Sequence, residues 1–212
     1  MRRATSCWRL IAWLFFPAVV AQADDLPPPL APAAAAKTLR VPAGLRVEQV
    51  AAEPLVASPV AIDWGPDGKL WVAEMIDYPL GLDNAGKPGG RICYLLDTDG
   101  DGRYDRRVSF LDDVAFPNGV MAWRDGVLVT AAGEVFFARD TNGDGRADER
   151  RTLFEGFKLG NQQHRVNGPR WGMDGWCYLA NGDSGGLIQS PLPNKEIDIS
   201  GRDLRVRPDD GT

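Results

Sequence analysis

From Trp64 onward, apolar residues recur at every second position in short runs, and three of these runs are entered from an Asp-Gly turn. "WGPDGKLWVAE" (64–74), "WRDGVLVTAA" (123–132) and "WGMDGWCYLAN" (171–181) share a tryptophan, the Asp-Gly pair and an alternating apolar segment. A second unit alternates with the first: "RICYLLDTDGDGRYD" (91–105) and "EVFFARDTNGDGRAD" (134–148), with a weaker third copy in "DLRVRPDDG" (203–211). Asp-Gly followed by a period-two apolar run predicts a strand leaving a tight turn. No 3.6-residue apolar period runs through this part of the chain, so helices are not expected there. The 24 glycines and 16 prolines among 212 residues fit many short strands joined by turns. Strand units repeating every ~40 to 60 residues predict an all-β fold of the β-propeller type, each sheet a blade. A β-sandwich would not produce the recurring tryptophan followed, after one or two residues, by Asp-Gly. At roughly 40 to 45 residues per four-stranded blade, residues 39–212 make about three to four blades. A six-bladed ring needs more chain, so the expectation is an N-terminal portion of a propeller with unpaired sheet edges.

The N-terminal residues follow another pattern. Arg2 and Arg3 precede the apolar run "LIAWLFFPAVV" (10–20) and then "AQA" at 21–23. This predicts a secretory leader (1–23) cleaved after Ala23, because the run is shorter than the roughly 20 residues of a membrane span. A Pro/Ala-rich tether (24–38) follows, with little to bury. Losing Arg2, Arg3 and Arg9 with the leader takes the net charge from −5 to about −8. An acidic exported chain with no basic run is not built for nucleic acid, and it is expected in the periplasm or at the cell surface. Cys93 and Cys177 sit in apolar strand-like runs and are read as buried thiols in preference to a disulfide. Neither belongs to a C-x-x-C-H, so these residues attach no haem of their own.

Two acidic loops carry metal-ligand spacing. Asp97, Asp99, Asp101 and Asp105 occupy positions 1, 3, 5 and 9 of a calcium loop, with Gly102 at position 6. Asp140, Asn142, Asp144 and Asp148 repeat the pattern around Gly145. Oxygens on alternate residues of a turning backbone suit a cation that takes six to eight oxygen ligands. Position 12 is Val108 or Arg151, so neither loop has the bidentate glutamate of an EF-hand. The expectation is a structural Ca²⁺ turn that pins neighbouring blades.

His164, in "GNQQHRVNG" (160–168), is the only histidine. Histidine is the side chain that exchanges protons near neutral pH. Gln162, Gln163, Arg165 and Asn167 supply hydrogen-bonding groups for a polyol, and Asp183 is a partner that would orient the imidazole. Two function classes follow. One is an exported oxidoreductase acting on a sugar or other alcohol. The other is a non-catalytic, calcium-stabilised propeller that binds glycans or proteins at the cell surface.

"EPLVASPVAIDWGPDGKLWVAEMIDYP", "GGRICYLLDTDGDGRYD", "FPNGV", "DTNGDGRADERRTLFEGF" and "NQQHRVNGPRWGMDGWCYLANGDSGG" together resemble the N-terminal propeller of the large exported "membrane-bound dehydrogenase" proteins of Planctomycetes and Verrucomicrobia. Many of these carry a C-terminal c-type cytochrome domain. More distantly the chain is similar to the soluble glucose/sorbosone dehydrogenases, six-bladed propellers that use pyrroloquinoline quinone. The resemblance implies that His164 is the base that removes a substrate hydroxyl proton and that Asp183 shares its axial funnel. It implies that Glu74, in "LWVAEM", stands near that funnel, and that electrons pass to a cytochrome c domain or partner. The residues that hold the quinone in that family fall in later blades.

Overall fold

The computed structural model describes residues 27–190 and 196–210. The leader expected at 1–23 lies outside them. Within the tether the chain forms the one α-helix among the described residues, α1 (Pro32–Ala36), with no side chain buried.

From Pro59 the described chain is almost wholly strand and turn, as the alternation predicts: thirteen strands in three antiparallel sheets. The first sheet is a meander of β1 (Pro59–Trp64), β2 (Leu70–Glu74), β3 (Gly90–Leu96) and β4 (Arg106–Val114). The second repeats it with β5 (Gly119–Trp123), β6 (Gly126–Ala131), β7 (Glu134–Arg139) and β8 (Glu149–Phe157). The third pairs β9 (Asn167–Trp171) with β10 (Cys177–Ala180) and β10 with β13 (Leu204–Val206). Between β10 and β13 the chain leaves this sheet. It forms β11 (Gly186–Gln189) and β12 (Glu196–Asp198), and β11 hydrogen-bonds to the outer edge of β8.

The repeated sequence units map onto repeated structural places. Trp64 pairs with Leu70, Trp123 with Gly126 and Trp171 with Cys177, so each tryptophan closes the hairpin between the first two strands of its sheet. Each acidic unit is a third strand followed by its exit loop, and the weak third copy contains β13, the last strand of the third sheet.

The first strands stand side by side, β1 against β5 and β5 against β9. Asp63 on β1 ties the group together. It accepts from Ala122 N on β5 at 2.8 Å and lies 3.5 Å from the Arg170 guanidinium on β9. Gly119 is required where β9 crosses: a Cβ there would lie 2.7 Å from Pro169 Cδ and 2.4 Å from Thr130 Oγ1.

The middle sheet has a neighbour on each face, so every residue of β6 is buried. Val127, Val129 and Ala131 pack towards the first sheet, and Leu128 packs towards the third. Two-sided burial explains its near-continuous apolar sequence. The other face of the first sheet, with Val72 and Leu95, is covered by Ala51, Leu55 and Val56. Cys93 and Cys177 are buried free thiols, as their apolar runs predict.

Candidate functional site

The beginnings of the three first strands converge on a cleft of about 660 Å³. Pro59 on β1, Asn118 just before β5 and Asn167 opening β9 all line it, with Met75 and Tyr78 from the loop after β2. Gln162 and Gln163 complete it from a 3₁₀ turn (Gln162–His164) whose first N–H groups are capped by the Asn161 side chain, which accepts from Gln163 N at 3.0 Å. This turn is clamped to the β2 loop: Gln162 Nε2 donates to Pro79 O at 3.2 Å, and Gln163 Nε2 donates to Tyr78 Oη at 3.1 Å. Asn118 Oδ1 accepts from Thr130 Oγ1 at 2.9 Å, and Asn167 Nδ2 donates to Arg165 O at 2.8 Å. The polar lining is amide and hydroxyl, with no charged side chain. Its volume lies in the ordinary range for small-molecule sites.

His164 is not among the residues that line this cleft, but Gln163 before it and Asn167 three residues after it are. Its Nδ1 lies 2.6 Å from Asp183 Oδ1, and both side chains reach solvent. The pairing the sequence points to is therefore present, and it has a backbone cause. Asp183 follows Gly182, whose φ of +54° lies in the left-handed region and whose missing Cβ lets the chain pass against the His164 backbone.

Arg165 points elsewhere. It is 7% exposed, its guanidinium lies 4.7 Å from the centre of the Phe116 ring, and its Nε donates to Leu159 O at 3.0 Å. Its Nη1 is buried without an acceptor. Burial works against the charge and lowers its pKa, while nearby Asp77 supports it.

Glu74 is not brought together with His164. It is fully buried at the end of β2. Its Oε1 accepts from Ala57 N at 2.8 Å, and its Oε2 accepts from Arg107 Nη2 at 2.9 Å with Arg91 Nε 3.2 Å away. Both oxygens are engaged inside the first sheet. Tyr78 and Asn118 are cleft residues that periodicity alone does not mark, because they lie in loops. The only local signals were the quoted segments "MIDYP" and "FPNGV".

The two acidic loops fold alike. Asp97 Oδ2 accepts from Gly102 N at 2.9 Å, and Asp140 Oδ2 accepts from Gly145 N at 2.8 Å. Asp105 and Asp148 each accept from the threonine hydroxyl following the first aspartate, at 2.7 and 2.8 Å. In the first loop, oxygens of Asp97, Asp99 and Asp105 lie within 4.8 Å of one another. The second loop docks on the preceding sheet, with Ala147 N donating to Phe110 O at 2.9 Å and Arg146 Nη2 to Asp112 Oδ2 at 2.6 Å. The first is tied to the segment before β1 through Tyr104 N, which donates to Val50 O at 2.9 Å.

Comparison with known proteins gives a family match and a distant structural one. The family model described as "Domain of unknown function (DUF7133)" matches residues 31–212. No curated protein matches the chain. Among solved structures, a Thermus thermophilus protein assigned as an oxidoreductase (glucose dehydrogenase) is similar with a TM-score of 0.42 and 16% identity, over 69% of this chain and 44% of that one. The chain thus spans less than half the length of that protein.

Proposed function

The chain belongs to the DUF7133 family, and from the geometry of its cleft we propose that it binds a neutral sugar or polyol there, with His164 taking a proton from one ligand hydroxyl. The observation that carries this is the His164–Asp183 pair, 2.6 Å apart, directly after Gln163 of a cleft lined by amides and hydroxyls. Amides offer both donors and acceptors, which matches a ligand whose hydroxyls are both. An ionised carboxylate only accepts, so Asp183 holds the imidazole with its proton on Nδ1. Nε2 then keeps its lone pair, the arrangement a general base needs.

Removing a hydroxyl proton is one half of an alcohol oxidation, and the oxidoreductase reading rests on that half. The other half needs a two-electron acceptor. Pyrroloquinoline quinone carries three carboxylates. No cationic side chain lines the cleft, so the described residues do not make up a quinone site and no step is derived through one.

Three sheets with adjacent first strands are read as blades of a propeller, and the cleft as one side of its axial funnel. Each acidic loop is read as a Ca²⁺ turn held by Asp97, Asp99, Asp101 and Asp105 or by Asp140, Asn142, Asp144 and Asp148. Oxygens of Asp97, Asp99 and Asp105 converge in the first loop, and the second has the same ligand spacing and the same hydrogen-bonded turn, which suit a hard cation. Calorimetry should show calcium uptake that weakens on Asp99→Ala or Asp144→Ala. No uptake at millimolar calcium would sink this part. Export through the leader at 1–23 belongs to the same reading.

Titration with a panel of neutral sugars and polyols, alongside dye-coupled oxidation, tests the site. Asn167→Ala should weaken binding by about tenfold, or ~1.4 kcal/mol. His164→Gln should leave binding nearly unchanged and lower turnover by about 10²- to 10⁴-fold. Failure of every sugar and polyol to bind ends the proposal. Binding without turnover favours the non-catalytic glycan-binding module, a reading that the enclosure of Glu74 by Arg91 and Arg107 already supports.

A further inference from the structure

The amides of the cleft are not interchangeable, because the protein already uses one end of each. Asn118 gives its Oδ1 to Thr130 Oγ1 at 2.9 Å. Thr130 is fully buried, and its hydroxyl proton needs that acceptor, which fixes the amide and leaves Nδ2 as the free end. Asn167 and Gln162 are turned the other way. Each spends an N–H on a main-chain carbonyl, Arg165 O at 2.8 Å and Pro79 O at 3.2 Å, and its amide oxygen receives no donor among the described residues. A main-chain carbonyl only accepts, so nitrogen and oxygen cannot be exchanged in either amide. The cleft thus has a donor at the start of β5 and two acceptors from β9 and the 3₁₀ turn. Val60, Met75 and Ile76 add an apolar patch to the same lining.

The groups that sugars carry meet this pattern unequally. A hydroxyl donates and accepts, but it brings nothing to cover Val60, Met75 and Ile76. A carboxylate only accepts, so it faces the Asn167 and Gln162 oxygens lone pair to lone pair, with no cation in the lining to offset the repulsion. An ammonium only donates, and it leaves the Asn118 Nδ2 hydrogens facing a positive charge. An acetamido group is uncharged and has one N–H, one carbonyl oxygen and a methyl. It alone answers the donor, the acceptors and the apolar patch together.

Building on the reading of this cleft as a sugar site, we infer that its ligand is an N-acetylated amino sugar. The acetamido carbonyl accepts from Asn118 Nδ2, its N–H donates to one of the two free amide oxygens, and its methyl lies against the Val60, Met75 and Ile76 patch. Tyr78, whose Oη accepts from Gln163 Nε2 at 3.1 Å, keeps its own proton for a ring hydroxyl.

Calorimetry on the whole chain compares N-acetylglucosamine with glucose, glucosamine and glucuronate, and N-acetylgalactosamine with galactose. At least one N-acetyl sugar should bind about tenfold or more tighter than its unsubstituted parent, a difference of ~1.4 kcal/mol, with glucuronate the weakest of the set. Asn118→Asp keeps an oxygen for Thr130 and replaces the free donor with a second oxygen. It should remove the preference for the N-acetyl sugar while the parent sugar still binds. If Asn118→Asp does not fold, the order of ligands on the unaltered protein decides alone. Parent sugars that bind as tightly as their N-acetyl forms, or a preference that survives Asn118→Asp, would overturn the inference and leave the sugar site standing. Failure of every sugar to bind would overturn both.

Discussion

Asp183 can reach His164 only because residue 182 has no side chain. A Cβ at Gly182 would sit 3.0 Å from His164 O and 3.1 Å from His164 Cβ, and the φ of +54° is itself costly for any other residue. Gly175 separates the two effects, since its φ is +77° but a Cβ there meets nothing within 4 Å. Gly175→Ala should therefore cost about 1 kcal/mol of backbone strain and leave the imidazole undisturbed. Gly182→Ala should cost more and also break the hydrogen bond. Thermal melts and the His164 Nδ1–H resonance read the two separately; an intact resonance in Gly182→Ala would show that crowding is not what holds the pair. The pairing was legible in sequence because both residues flank one recognisable strand unit. The burial of Glu74 was not, because its partners Arg91 and Arg107 come from β3 and β4, and single-strand alternation does not say which charges meet across a sheet.

At the scale of elements, the acidic loops are ordered by their own backbone. The Gly102 N–H on Asp97, the Gly145 N–H on Asp140 and the Thr141 N–H on Asp148 hold these carboxyls below the ordinary aspartate value of 3.8. As pH falls, the unfolded chain therefore takes up protons before the folded loops do. The loops' stabilisation is complete above the unfolded pKa and is lost as pH drops below 3.8 through the lower folded values. The melting temperature should accordingly fall as pH drops below about 4 through the lower folded values, and Asp140→Asn should flatten that fall. An unchanged slope in Asp140→Asn would mean the loop hydrogen bonds do not contribute. These loops and the Trp hairpins were the most readable elements, because Asp-Gly turns and period-two apolar runs are local signals. The β11–β12 hairpin was not readable. "GLIQ" is a plain short strand, and its choice of β8 over its own sheet is a long-range pairing that no local pattern encodes.

For the whole molecule, the middle sheet decides how the parts hold together. It is packed on both faces, and the first sheet leans on it through Val120, Val127 and Phe136 on one side while Leu179 and Val206 lean on it from the other. Among the described residues no sheet packs beyond β1, and Val60, Ile62 and Trp64 are exposed. The opposite flank is fastened differently. By lending β11 and β12 to the edge of β8, the third repeat contributes backbone hydrogen bonds to a sheet that is not its own. Main-chain bonds break only when one of the strands sharing them opens, so β8 and β11 belong to a single opening unit. Their amide hydrogens should exchange with deuterium at a common free energy. The first sheet shares no strand ladder with the second and is joined to it by side-chain packing and a few hydrogen bonds such as Ala147 N to Phe110 O, so it should open on its own schedule. Native-state exchange with faster opening at β11 than at β8 would show the splice to be loose. A common value would make the second and third repeats a single cooperative block, so that the boundary of unfolding falls between the first sheet and the rest, displaced from the boundaries of the sequence repeat.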